Sequence, residues 1–179
     1  MKAQCRKSLL IIALIVAMVP LALQTPDARA ASLQPDSYVV GKILDKFDDT
    51  WQYAAVFKLG RPKRLLAQYV DLTLGVITSP GDSRPFISLA PVWQAPLFGD
   101  NVAIKFSFGP TLIAGSTFDH RNLGGNLHFT SAVAIEAALG VRRSITLGLR
   151  IQHTSNGGLN STNPGMDIVG LSFGYNLGQ

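Results

Sequence analysis

A histidine, a serine and a carboxylate lie close enough together near the C-terminal end of the chain to do hydrolytic chemistry. His153-Thr154-Ser155-Asn156 is followed by Asn163 and Asp167. On an extended strand, residues i and i+2 share a face about 6.6–6.8 Å apart, so the imidazole and the hydroxyl can converge. Asp167 opens the next apolar segment, and an antiparallel return that sets it opposite His153 would put all three side chains on one face. A hydroxyl nucleophile, an imidazole base and a carboxylate that orients the base are the parts needed for acyl-ester cleavage. Serines and asparagines at such spacing also serve simply to satisfy turns, so the reading depends on the elements that hold them.

Those elements read as strands. From Ser144, Ile145, Leu147, Leu149, Ile151 and His153 alternate with Thr146, Gly148, Arg150 and Gln152, a period of two. Val169, Leu171, Phe173, Tyr175 and Leu177 repeat the pattern against Gly170, Ser172, Gly174 and Asn176. Eight segments qualify: 38–44, 51–59, 65–77, 85–96, 101–114, 126–140, 144–153 and 166–177. Pro91 and Pro110 fall inside two of them and call for a bulge or a displaced boundary. The large side chains all fall on the apolar face. The other face is Gly, Ala, Ser and Thr, with isolated charges at Lys58, Asp71, Lys105, Glu136 and Arg150. An eight-stranded barrel is just wide enough inside for side chains to fill it, which assigns the small face to the lumen and the apolar face to lipid. Glu136 and Arg150 could then pair inside. The expected fold is all-β, an eight-stranded antiparallel transmembrane β-barrel. A soluble lipocalin-like barrel with the apolar face inward has the same periodicity.

The N-terminal segment differs in kind. Lys2, Arg6 and Lys7 precede an apolar run from Leu9 to Leu23, and Ala28-Arg29-Ala30 presents small residues where a signal peptidase cuts. Residues 1–30 therefore read as a cleavable signal peptide and 31–179 as the barrel domain. The apolar run contains Pro20 and falls short of the ~20 residues a membrane-spanning helix needs. Four of the 16 basic residues and one of the 11 acidic ones precede residue 31, leaving 12 against 10 and a net charge of +2. A basic nucleic-acid binder is excluded on that balance. The single cysteine, Cys5, lies in the leader, so neither a disulfide framework nor a cysteine-ligated metal is expected.

An even strand number sends both termini to one side, which in an exported barrel is the periplasm. The short connections at 60–64, 97–100 and 141–143 belong there, and the long Gly- and Asn-rich ones at 115–125 and 154–165 belong outside. His153 thus sits at the outward end of its strand. His120 and Arg84 could meet lipid phosphates, although a solvated loop face accounts for them better. His128 is expected inside, hydrogen bonded. The basic turns Arg61-Pro62-Lys63-Arg64 and Arg142-Arg143 face the periplasmic side, and Trp51, Tyr53, Trp93 and Tyr175 face lipid or its interface. Asn160-Ser161-Thr162 matches a glycosylation sequon that a bacterial barrel does not use.

The stretch from Arg150 through His153-Thr154-Ser155-Asn156-Gly157-Gly158-Leu159, with Asn163-Pro164-Gly165-Met166-Asp167 and a closing aromatic strand, resembles the outer-membrane lipid A 3-O-deacylases, the PagL family of acyloxyacyl hydrolases. The specific match is confined to this part; the leader and strand count extend it loosely to the whole chain. The resemblance implies Ser155 as nucleophile, His153 as general base and Asp167 as the acid. It also implies an oxyanion hole from the Asn156 backbone amide and Asn163. The implied reaction releases the 3-hydroxy fatty acid ester-linked at position 3 of a lipid A glucosamine, without cofactor or metal, in the bacterial outer membrane. Lipid A or lipopolysaccharide and outer-membrane lipids are the implied partners, and a homodimer is compatible. In the family the acid is more often Glu, and the shorter Asp167 requires a closer strand approach to His153. Two other classes stay open: a non-enzymatic barrel acting as structural protein or adhesin, and a soluble periplasmic lipid binder. Extraction that requires detergent separates the second of these, and mass spectrometry of lipid A separates the first.

Overall fold

The computed structural model describes residues 34–44, 47, 49–62, 65–140 and 143–175. The expected signal peptide, Lys63, Arg64 and Arg142 of the basic turns, and the end of the last expected strand lie outside the described residues. The strands are β1 (Ser37–Leu44), β2 (Trp51–Leu59), β3 (Tyr69–Ser79), β4 (Asp82–Phe98), β5 (Val102–Ile113), β6 (Thr117–Phe118), β7 (Arg121–Asn122), β8 (Leu127–Leu139), β9 (Ile145–Ser155) and β10 (Met166–Tyr175). Eight of them close an antiparallel barrel in the order β1-β10-β9-β8-β5-β4-β3-β2, and β6 and β7 form a small separate hairpin. That hairpin lies in the long loop after β5, where the sequence shows no alternation. β3 starts at Tyr69 instead of 65, so the connection after β2 is longer than expected.

Alternation sorts the side chains as the sequence pattern requires. Leu147, Leu149, Ile151, Leu171, Phe173 and Tyr175 are exposed on the outer wall, together with Phe106, Phe108, Val133 and Ile135. Gln52, Ser88, Ser107, Thr111, Thr130, Gln152, Thr154 and Ser172 are buried within. Apolar outside and polar inside is the reverse of a soluble lipid-binding barrel.

The interior departs from expectation in three ways. Large apolar side chains are not confined to the outside: Ile43, Phe47, Ile77, Phe86, Ile113, Phe118, Leu123, Met166 and Ile168 form a buried cluster at one end. Phe47 and Phe118 meet there with ring centroids 5.9 Å apart. The loops supplying Phe47, Phe118 and Leu123 fold inward, and burying their apolar surface favours that closure. Glu136 pairs with Lys105 instead of Arg150, while the Arg150 guanidinium donates to Gln152 Oε1 at 3.2 Å. Pro91 and Pro110 cause no register shift; the irregularity between β4 and β5 falls between Pro96 and Phe98. The β4–β5 pairing lapses at Leu89–Pro91, opposite Phe108–Pro110, while Val70↔Pro91 and Pro110↔Phe129 stay paired on the flanking strands. Two residues without N–H donors thus share one local interruption.

His128 is buried, with Nε2 2.9 Å from the Gly125 carbonyl, as an interior polar group should be. Arg84 lies against Asp82 at 3.0 Å, and the Asp82 carboxylate also accepts the Asp119 N–H at 3.1 Å, tying the β3–β4 turn to the long loop.

Candidate active site

β9 and β10 pair so that His153 stands directly opposite Asp167. Both belong to the outward-facing set, and both side chains are about half exposed (51% and 60%). His153 Nδ1 lies 2.7 Å from Asp167 Oδ1. An ionised carboxylate only accepts, so Nδ1 carries the proton and donates it, and Nε2 is left free to accept one. The short aspartate reaches the ring because the two residues are cross-strand partners, with no intervening turn to span. Ser155, the last residue of β9, lies on the same face two residues further along.

The backbone around these side chains is held from two directions. Gly165, at φ +65°, precedes β10 against the imidazole; a Cβ there would stand 3.2 Å from His153 Cε1. A side chain at 165 would therefore both strain the backbone and press on the ring. On the other side Ser155 pairs with Phe129, which stacks on Phe108 with centroids 5.9 Å apart. Ser131 is the β8 partner of His153, a hydroxyl residue in an otherwise apolar outward row.

Asn156 and Asn163 engage each other. The Asn156 N–H donates to Asn163 Oδ1 at 3.0 Å. This bond fixes which end of the Asn163 carboxamide is oxygen and makes its NH2 the group able to donate elsewhere. The Asn156 side chain, wholly buried, is a clamp that the sequence did not reveal. Its Nδ2 donates to the Thr162 carbonyl at 2.6 Å and to the Gly124 carbonyl at 3.2 Å, while its Oδ1 accepts the Gly158 N–H at 3.0 Å. One residue thus joins the loop after β9 to the loop after β5. Gly124, at φ +76°, has no room for a Cβ against the Thr162 carbonyl and the Asn156 amide. The Gly124-Gly125 pair in an Asn-rich loop was the one available signal.

Behind the site the lumen carries a row of hydroxyls. Thr154 and Thr130 are 2.9 Å apart, Thr130 and Thr111 2.7 Å, and Thr111 donates to Ser88 at 2.9 Å. Gln152 reaches both Thr154 (3.2 Å) and Gln52 (3.1 Å). Successive residues of β9 therefore serve two functions: Gln152 and Thr154 anchor the strand inside, while His153 and Ser155 face out.

A closed barrel with a histidine–carboxylate pair and a serine on its outer wall has the residue complement of a serine esterase. The chain belongs to the PagL family: the family model for lipid A 3-O-deacylase (PagL) matches residues 41–176. It is 33% identical over 91 residues to the lipid A deacylase PagL of Bordetella bronchiseptica, covering 47% of this chain and 50% of that one. To the lipid A deacylase PagL of Pseudomonas aeruginosa it is 28% identical over 95 residues, covering 52% and 54%. The chain thus spans about half the length of the curated relatives it matches. The crystal structure of the outer membrane enzyme PagL superposes with a TM-score of 0.60 at 20% identity, covering 79% of this chain and 98% of that one, a likeness of fold.

Proposed function

We propose that this chain is an outer-membrane esterase that hydrolyses the 3-O-linked hydroxyacyl ester of lipid A and releases a 3-hydroxy fatty acid. The observation that carries the reading is the 2.7 Å His153–Asp167 pair on the outward wall, with Ser155 on the same face of β9. Ser155 Oγ attacks the ester carbonyl while His153 Nε2 takes its proton. Asp167 holds the Nδ1–H and stabilises the imidazolium. The Asn163 NH2 donates to the oxyanion; the Asn156 N–H, expected as a second oxyanion donor, is instead given to Asn163 Oδ1 at 3.0 Å and orients that carboxamide. Collapse returns the proton from His153 to the departing sugar oxygen. Water, deprotonated by the same histidine, then cleaves the acyl-serine and frees the acid. No cofactor enters this sequence.

The setting follows from the wall. An apolar exterior needs lipid around it, and seven of the eight barrel strands have 9–17 residues, with β1 at eight, against the about 9–11 that cross a bilayer. The N-terminal start of β1 and the C-terminal end of β10 lie at the end opposite the site, so a site in the outer leaflet puts both in the periplasm.

Lipid A from cells expressing the wild type should lose one hydroxyacyl chain by mass spectrometry, and Ser155→Ala should leave it intact. Loss of the serine hydroxyl should lower turnover by several orders of magnitude with little change in barrel stability. Deacylation retained by a folded Ser155→Ala protein would falsify the assignment, and intact lipid A in the wild type would favour a non-enzymatic barrel.

A further inference from the structure

Among the described residues, the outward face of the eight barrel strands carries only three side chains of the Lys, Arg, His, Asp or Glu type. Two are His153 and Asp167, and the third is Lys42 on β1. All other such strand residues, from Lys58 and Asp71 to Glu136 and Arg150, belong to the inward set. A lysine on a lipid-facing wall is costly at mid-bilayer and far less so near the interface, and its hydrophobic stem lets the ammonium rise toward headgroups. The three ionisable residues occupy three adjacent strands, β9, β10 and β1. Lys42 pairs with Val169, one outward position along β10 from Asp167. Cross-strand rows slope in a tilted barrel. The row that starts at Leu44, the last residue of β1, continues through Asp167, second in β10, to His153, third from the end of β9. Rows thus descend from β1 toward β9, which brings Lys42 up to roughly the height of His153, two strands or about 10 Å away.

The ammonium is held away from the carboxylate. Lys42 Nζ sits 5.8 Å from the ring centroid of Trp51, its β2 partner. The ion pairs among the described residues do not include it. An aromatic face supports a cation without neutralising it, leaving the charge available to an anion.

Resting on the deacylase reading, we infer that Lys42, seated on Trp51, binds a phosphate carried by the sugar of the glycolipid substrate. About one sugar ring with its substituents separates Lys42 from the ester-cleaving face. A phosphate held there would fix the sugar so that its acyl ester lies over Ser155 and the chain runs down the apolar wall. The aromatic Phe108–Phe129 stack lies on the opposite flank, beyond Ser155, so among the described residues of the outer wall the cation stands on one side only.

The test compares a phosphorylated glucosamine-based acyl lipid with its dephosphorylated form, in neutral detergent micelles that contain no other phosphate. The wild type should prefer the phosphorylated lipid about tenfold in kcat/KM, mostly through KM, the size of one charge-assisted contact. Lys42→Gln should erase that preference and Lys42→Arg should keep most of it. A preference unchanged in Lys42→Gln overturns the assignment, as does an equal loss on both lipids, which marks a packing role. A displaced pH–rate profile in Lys42→Gln also overturns it, because the lysine would then act through the His153–Asp167 pair. Binding of the two lipids to the Ser155→Ala protein, with and without Lys42→Gln, reads the same preference without turnover. If no fatty acid is released by the wild type yet this binding difference persists, the activity reading fails and the phosphate site stands. A binding difference that appears only when anionic phospholipid is mixed into the micelles assigns Lys42 to bulk lipid and overturns it.

Discussion

The two ends of the barrel interior solve different problems. Where the connections after β1, β5 and β9 meet, the lumen is dry: Ile43, Phe47, Ile113, Phe118, Leu123 and Met166 are each 2% exposed or less. At the opposite end the filling is ionic, with Lys58, Asp71, Lys105, Glu136 and Arg150 crowded together and Glu136 paired with Lys105. Both fillings leave little open space, but they tolerate movement differently. Apolar packing fixes position through shape, so displacing one group leaves a cavity that neighbours only partly fill. An ionic cluster can exchange partners while keeping its charges satisfied. The candidate site sits above the end that is fixed by shape, which fits a site whose proposed nucleophile and oxyanion donor stand at a strand end and on a loop.

The sharpest way to break this contrast is at the His153–Asp167 pair. Asp167→Asn keeps the shape but removes the charge that holds the imidazole tautomer, so release of hydroxy fatty acid should fall by about two to four orders of magnitude. Asp167→Glu should retain measurable activity, since the outer wall has room for one more methylene. Both variants are to be compared at matched folded concentration, and near-wild-type rates in both would remove Asp167 from the mechanism. Asn156→Ala comes next. It removes the side-chain clamp between two loops while keeping the backbone N–H that holds Asn163, and kcat should drop about ten- to a hundredfold as the loop shifts, in line with the sensitivity of catalysis to small misplacements. Limited proteolysis should then cut within residues 156–165 faster than in the wild type.

Within the dry end, Phe118→Ala should cost about 3–5 kcal/mol of stability by denaturant titration, with a several-fold loss of activity as the loops relax. Glu136→Gln probes the other end and carries the smallest catalytic effect. It leaves Lys105 without its ion-pair partner and should lower the unfolding midpoint, yet hydrolysis should stay within about twofold of wild type. Activity lost in Glu136→Gln to the extent seen in Asn156→Ala would show that the two ends are not separable.

The His153–Asp167 juxtaposition was legible in the sequence because antiparallel pairing and a period of two leave few registers that keep Leu147, Leu149, Ile151, Val169 and Leu171 on one face. The dry end was not. Met166 and Ile168 lie on the same inward row as Gly170 and Ser172, and alternation assigns a face without saying how much room that face has. The small-inside rule therefore failed where the loops, and not the opposite strands, complete the packing. The Asn156–Gly124 contact joins residues 32 positions apart through side-chain and carbonyl groups of two irregular segments, and no local period encodes that. Lys42 was visible as a residue, but its isolation on the outer wall needed all eight strand orientations to be known.

A candidate site on the outside of a filled barrel changes what substrate concentration means. On the proposed deacylase reading, substrate reaches Ser155 by lateral diffusion within a leaflet, so the controlling variable is the number of glycolipids per unit area around the wall. Added neutral lipid or detergent should slow turnover by surface dilution even when total substrate is constant. On the proposed mechanism the water that resolves the acyl-serine reaches the outer face of β9, on the opposite side of the wall from the buried cluster of Ile43, Phe47 and Phe118. It must arrive from the loop side, while the freed fatty acid departs sideways into the surrounding film.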